Sequence, residues 1–371
     1  MNKSKSSNKV LGMALFAMFF GAGNLIYPIF VGANSKNSAS STIGFLLTAV
    51  LLPFIGVIAI VLFNGSYKDF FSVLGKKFSF IFSFILLTVW IPLGSAPRGI
   101  ALAYSSISLY SNIGPIYIFS IIYTLAVIVV IFKKNGFINL LGRIITPLLI
   151  GSILIISIKG IFFSDHAHLN SNNFSYFEGI SEGYNTMDLI ASFFFSASII
   201  SILNKETKSL SISIKKLLRA SLIGIGLLAV VYILLISVSI KHSLILRDIP
   251  KDQMLSVLSR NLLGANLSVV SLFAIVLACF STSVALIVAY SEFLKSEIFK
   301  NKKGMGFSIA VSSIITFIMS IFGLNGVSFI TSPILKIFYP VLLVLILVNI
   351  VIKTKVAILE KRRINEANIV N

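Results

Sequence analysis

The sequence predicts an all-α, polytopic membrane protein of about ten transmembrane helices. Three observations predict it. The chain has 371 residues, of which 57% are hydrophobic and only 12% charged, with a mean hydropathy of +0.99. Apolar runs long enough to cross a bilayer core follow one another along it. The basic residues behind the net charge of +19 collect on alternate connecting segments, as the positive-inside bias requires.

Helices are expected at 10–33, 42–63, 79–104, 114–132, 144–163, 186–203, 218–240, 267–291, 305–323 and 329–352. A Lys/Ser-rich stretch, Met1 to Val10, precedes the first run, as in a signal peptide. The run is too long for one and no small-residue cleavage site follows, so it reads as a retained first span. Within it, Phe16 to Gly32 carries Gly21, Gly23, Asn24 and Pro28 in mid-span. Glycine adds backbone entropy and proline removes an N–H donor, so both weaken a helix. In hydrocarbon, a broken helix survives only where protein or a polar cavity satisfies the freed groups. Transporters place substrate and ion sites at such breaks. A plain kinked helix is the competing reading.

With the N-terminus inside, 23 of the 31 Lys and Arg residues lie on inner segments: Lys3 to Lys9, Lys68 to Lys77, Lys133 to Arg143, Lys205 to Arg219, Lys295 to Lys303 and Lys353 to Arg363. Six lie outside: Lys36, Lys159, Lys241, Arg247, Lys251 and Arg260. Both termini are therefore expected in the cytoplasm. A nucleic-acid face is excluded, because these charges are scattered over six separate segments.

The outer segment 164–185 holds Asp165, His166, His168, Glu178 and Glu182 and reads as a solvated polar loop. No third ligand at helical spacing supports a metal there. The outer stretch 241–264, with Leu244, Ile245, Met254, Leu255, Val257 and Leu258 among charges, reads as a short amphipathic helix at the interface. Lone Cys279 excludes an intrachain disulfide. No soluble domain interrupts the spans, so residues 1–371 form one transmembrane domain. Its halves, about 10–163 and 186–352, hold five helices each and must run in opposite orientations, which is the condition for an inverted repeat. A basic cytoplasmic tail, 353–371, follows.

Four more segments stand out: Trp90-Ile-Pro-Leu-Gly-Ser-Ala-Pro-Arg98, Gly183-Tyr-Asn-Thr-Met-Asp188 with Phe193-Phe-Phe-Ser-Ala-Ser198, Leu277-Ala-Cys-Phe-Ser-Thr-Ser-Val284, and Thr331-Ser-Pro-Ile-Leu-Lys-Ile-Phe-Tyr-Pro340. With Phe16 to Gly32, their order and spacing resemble the branched-chain amino acid:cation symporter family, the bacterial system II carriers of the inner membrane. The resemblance implies an amino acid–polyamine–cation, or leucine-transporter-like, fold built from two five-helix inverted repeats. It also implies cation-coupled uptake of leucine, isoleucine and valine. Members continue for two helices beyond the tenth, and this sequence does not.

Helix eight offers the Ser281, Thr282 and Ser283 hydroxyls one turn after the Ala278 carbonyl. Such hydroxyls often bond their own helix, but hard cations also favour oxygen ligands. The resemblance, extended to sodium symporters of the same fold, implies a sodium site from the carbonyls of Ala17, Phe20 and Ala278 and the hydroxyls of Ser281 and Thr282. None of the twelve Asp and Glu residues falls at an expected membrane midplane; Asp188 and Glu292 come nearest, at helix ends. Proton carriers usually need such a group, so sodium is the expected ion. Proton coupling through Asp188 is the alternative.

The substrate's carboxylate suits the amides of Gly21, Ala22 and Gly23 at the positive start of a half-helix. Its ammonium suits carbonyls of helix one and of the Phe195-Ser196-Ala197 stretch, where the resemblance implies unwinding. Asn24 is placed to bridge the two halves of helix one or to contact a cation, and Phe194 and Phe195 to meet the apolar side chain. Arg98 is the charge placed deepest and needs a partner; an outer gate with Asp188 or Glu182, or a general electrostatic attractor for the substrate's carboxylate, is expected. Lys336 is expected to snorkel. No cofactor is implied, and an enzyme is disfavoured because catalytic residue types are nearly absent from the helices. A channel or a non-transporting scaffold is the remaining class.

Overall fold

The computed structural model describes residues 8–35, 38–133, 146–163 and 175–370. The Asp165, His166 and His168 loop lies outside them, as do Lys3, Lys5, Lys36, Lys134 and Arg143. The described chain is helical throughout. Six helices are long and apolar enough to span a membrane, the bent pair at the start makes a seventh, and three shorter apolar helices complete ten.

We label them in chain order. The first span is α1 (Asn8–Phe19) and α2 (Ala22–Asn34), meeting at 71°. Then come α3 (Ala39–Leu62), α4 (Lys76–Ser108), α5 (Ile116–Phe132) and α6 (Thr146–Phe162). The second half holds α7 (Tyr176–Tyr184), α8 (Asp188–Thr207), α9 (Leu210–Lys241), α10 (Met254–Phe293), α11 (Met305–Ser320) and α12 (Gly323–Lys353, the apolar part of a longer helix). The first span of each half is thus broken, α1/α2 and α7/α8.

Three expected boundaries change. The segment 164–185 is not all loop, because α7 begins at Tyr176. Its start is a capping box, with Ser175 N–H donating to Glu178 Oε2 at 2.7 Å. Ser-x-x-Glu ahead of helix is the sequence signature of that device. The sixth span then breaks at Asn185 to Met187, with Met187 left-handed (φ 64°). Phe195 to Ala197, where unwinding was expected, lie inside continuous α8. Finally, the amphipathic outer segment forms the first part of α10, set off from the rest by Gly264 at φ 78°. Its Leu255, Leu258 and Leu262 are buried against the protein rather than laid on an interface.

Packing centres on the first span. Both α1 and α2 lie against α9 and α10, and α8 crosses beside their break. On the other side α7 packs closely on α3. Gly179 and Gly183 allow this approach: a Cβ on either would overlap Ser41 or Thr48 of the facing helix. Small residues four apart are a common means of close packing between membrane helices. Large apolar side chains such as Phe78, Ile122, Phe162, Leu222, Phe273 and Phe329 remain exposed on the outer faces of the bundle, as a lipid-facing surface requires.

Candidate functional site at two helix breaks

Helix α1 ends because the Gly21 amide leaves the helical ladder and donates to Asn24 Oδ1 (2.9 Å). The Asn24 side chain therefore bridges the two halves of the first span. The other end of the same amide points away from α2: Asn24 Nδ2 donates to both carboxylate oxygens of Asp188, at 2.9 Å each, and is bonded to the Tyr232 hydroxyl. Tyr232, from the middle of α9, donates in turn to Asp188 Oδ2 (2.6 Å). Asp188 is the first residue of α8. This triangle ties both breaks to α9, and its members are buried, Asp188 at 2% exposure.

Asp188 was expected at a helix end near the surface. It sits instead inside the bundle, beside the break in the first span, which removes the premise that no carboxylate lies there. Arg98 was expected to pair with Asp188 or Glu182. Among the described residues it forms no ion pair; its guanidinium donates to the Asn185 carbonyl and to Thr331 Oγ1, both at 2.8 Å. The carbonyl is free because the seventh helix has just ended there. Glu182 pairs with Lys251 (3.3 Å), which also lies over the Phe30 ring. Lys336 is exposed.

On the opposite side of the break lie residues expected as ion ligands. Thr282 Oγ1 lies 2.9 Å from the Ala278 carbonyl and 3.1 Å from the Phe20 carbonyl, so it reaches across from α10 to the end of α1. Ser281 Oγ bonds the Ala278 carbonyl (2.9 Å) on its own helix. Three oxygens thus gather around Thr282. The Phe20 and Ala278 carbonyls, with the Thr282 hydroxyl between them, make an oxygen-rich corner of the kind that suits a hard cation. The Ala17 carbonyl is buried one turn before the break on α1.

Between the breaks lies a small cavity (≈ 20 Å³), room for about one water. Gly21, Ala22, Gly23, Asn24, Asp188, Phe195 and Thr282 all face it. A leucine enters only after the helices part, so this conformation is closed. Ser196, expected as a substrate contact, does not line the cavity; its hydroxyl is buried and has no hydrogen-bond partner among the described residues. Phe194 stacks on Trp90 and meets Tyr67 at a tilt, and Phe195 meets Trp90 edge-on. The residues passed over in the sequence are Tyr232 and Thr186. Tyr232 sits in an apolar run and gives no signal; Thr186, which lines the cavity and bonds the Asp188 carboxylate, lies in the Gly183 to Asp188 segment that the sequence singles out.

This architecture has known counterparts. The sodium-coupled sialic acid symporter aligns over 86% of this chain and 74% of its own, with a TM-score of 0.59 and 12% identity. The nucleobase-cation-symport-1 transporter Mhp1, in a closed conformation, aligns over 91% and 77% (TM-score 0.62, 14% identity). MhsT in complex with L-phenylalanine aligns over 90% and 86% (TM-score 0.56, 15% identity). These likenesses fix the fold as leucine-transporter-like. In sequence, the chain is 31% identical over 370 residues to a protein of Staphylococcus aureus strain USA300, covering 93% of this chain and 82% of that one. A Staphylococcus epidermidis protein is 31% identical over 373 residues, covering 92% and 81%. Both carry the name "Putative branched-chain amino acid carrier protein". The sequence model of branched-chain amino acid transport proteins matches residues 4–368. Twin broken spans, a transporter fold and a match over nearly the whole length lead to one conclusion: the chain belongs to the branched-chain amino acid transport protein family.

Proposed function

We propose that the chain imports leucine, isoleucine and valine across a bacterial cytoplasmic membrane, drawn by a sodium gradient through alternating access, with both termini cytoplasmic. The observation that carries the sodium reading is Thr282, whose hydroxyl joins the Ala278 and Phe20 carbonyls across two helices. The Ala17 carbonyl and Ser281 hydroxyl would complete the ligand set. A structural neighbour is itself described as a sodium-coupled symporter. Ala22 and Gly23 begin α2, where amides lack helical acceptors and the dipole is positive, and so suit the substrate's carboxylate.

The test is labelled leucine uptake into proteoliposomes under imposed gradients. Concentrative uptake is expected with sodium outside and none with a passive channel. Uptake driven only by a proton gradient would transfer coupling to the second reading, which the burial of Asp188 in the bundle supports. No uptake of any amino acid would point to a scaffold.

Two expected outcomes follow from the same geometry. Thr282→Ala should raise the sodium concentration for half-maximal uptake about tenfold, a loss near 1.4 kcal/mol. Ser281→Ala should raise it less, since Ser281 bonds only its own helix; equal effects, or none, would dissolve this site. In competition assays the three branched residues should displace one another, with modest preference, because one methylene is worth about 1–3 kcal/mol in an apolar pocket. Lysine and glutamate should compete poorly, as their extra charge would enter without a partner. Efficient competition by either would contradict the proposed pocket.

A further inference from the structure

Asp188 poses a problem of charge. It is almost wholly buried, and the donors to its carboxylate, Asn24 Nδ2 and the hydroxyls of Tyr232 and Thr186, are all neutral. Among the described residues no Lys or Arg pairs with it, and the nearby Arg98 is committed to Asn185 and Thr331. The start of α8 supplies part of a positive charge, yet a buried carboxylate without a cation remains costly. The same carboxylate faces the cavity beside Ala22 and Gly23. Two helix starts meet at this cavity: α8 begins at Asp188 itself, and α2 begins at Ala22 and Gly23.

We propose that Asp188 is the receptor for the substrate's α-ammonium, so that the site reads a zwitterion with a half-helix start at one end and a carboxylate at the other. This rests on the transport reading above and changes one part of it. The carbonyls of Phe195 to Ala197, once expected to take the ammonium, are inside continuous helix. An ammonium entering the cavity supplies the cation that Asp188 lacks. Asn24 and Tyr232 then act as positioning residues that hold the carboxylate toward the cavity.

The experiment compares leucine with 4-methyl-2-oxopentanoate, which keeps the carboxylate and branched tail but has no ammonium. Binding of each to purified protein is measured for wild type, Asp188→Asn and Asp188→Glu. Wild type should prefer leucine at least 100-fold. Asp188→Asn should reduce that preference at least tenfold, mainly by weakening leucine, while Asp188→Glu keeps part of it. A preference unchanged in Asp188→Asn overturns the proposal. So does an unchanged preference joined to loss of the pH dependence of uptake, which would make Asp188 a proton carrier. Should neither variant fold, wild type answers alone: carboxyl-¹³C leucine should shift the infrared band of a buried protein carboxylate, and no shift overturns the idea. Wild type that binds no branched-chain amino acid would defeat the transport reading instead, a result distinct from all of these.

Discussion

Replacing Gly23 with leucine is expected to reduce leucine uptake to background while leaving the amount of protein in the membrane within about twofold of wild type. A Cβ at Gly23 would lie 3.2 Å from both the Cα and the carbonyl oxygen of Thr186. Both are backbone atoms at the break between α7 and α8, so they give way only if that break moves. Gly23→Ala should already slow uptake about tenfold, since overpacking a tight contact costs about 1–3 kcal/mol. The leucine side chain would in addition fill a cavity that holds little more than a water. Insertion should survive, because the run stays apolar and α1 and α2 keep their packing on α9 and α10. Initial rates in proteoliposomes, with membrane levels by quantitative blotting, check this. Normal uptake by Gly23→Leu would reduce the stretch from Phe16 to Gly32 to a kinked helix.

The first break was legible because its chemistry is local. Gly21, Gly23 and Asn24 weaken the helix by their own backbone preferences, and Asn24 can bond a neighbouring amide without tertiary help. The second break was not, because Tyr184-Asn-Thr-Met187 contains no Gly or Pro. It is held by distant groups: Arg98 takes the Asn185 carbonyl, and Met187 accepts a left-handed conformation that its own side chain disfavours. That omission carried a second error with it. Starting the sixth span at 186 puts Asp188 at a membrane surface, whereas a span from Tyr176 puts it twelve residues past the start. At 1.5 Å per residue that is about 18 Å along the span, beyond the midpoint of a core about 30 Å thick. With that boundary, Asp188 is an acid within the span. Ser175-x-x-Glu178 was the available signal for the true start. On α10 the spacing of Ser281 and Thr282 gave both hydroxyls equal standing. Only the position of α1 separates them, by leaving Phe20 within reach of Thr282.

Arg98 shows what such a distant contact is worth, and its replacement by alanine is expected to lower uptake at least about 100-fold, or 2.7 kcal/mol in transition-state terms. The guanidinium is 1% exposed and joins the end of α7, through the Asn185 carbonyl, to Thr331 of α12, while lying 5.6 Å from the Tyr27 ring of α2. Removing it leaves a buried carbonyl unpaired, at about 1–3 kcal/mol, and unties three helices at once. Lysine is the informative substitution. It keeps the charge but offers a compact ammonium in place of a planar fork, so it cannot reproduce the 2.8 Å bonds to two partners on different helices. If Arg98 only drew the anionic end of the substrate by its field, Arg98→Lys would transport nearly as well as wild type. The expectation is that it fails almost as badly as alanine, with leucine binding less affected than the rate. Wild-type rates in Arg98→Lys would assign this residue a charge and no tie between helices.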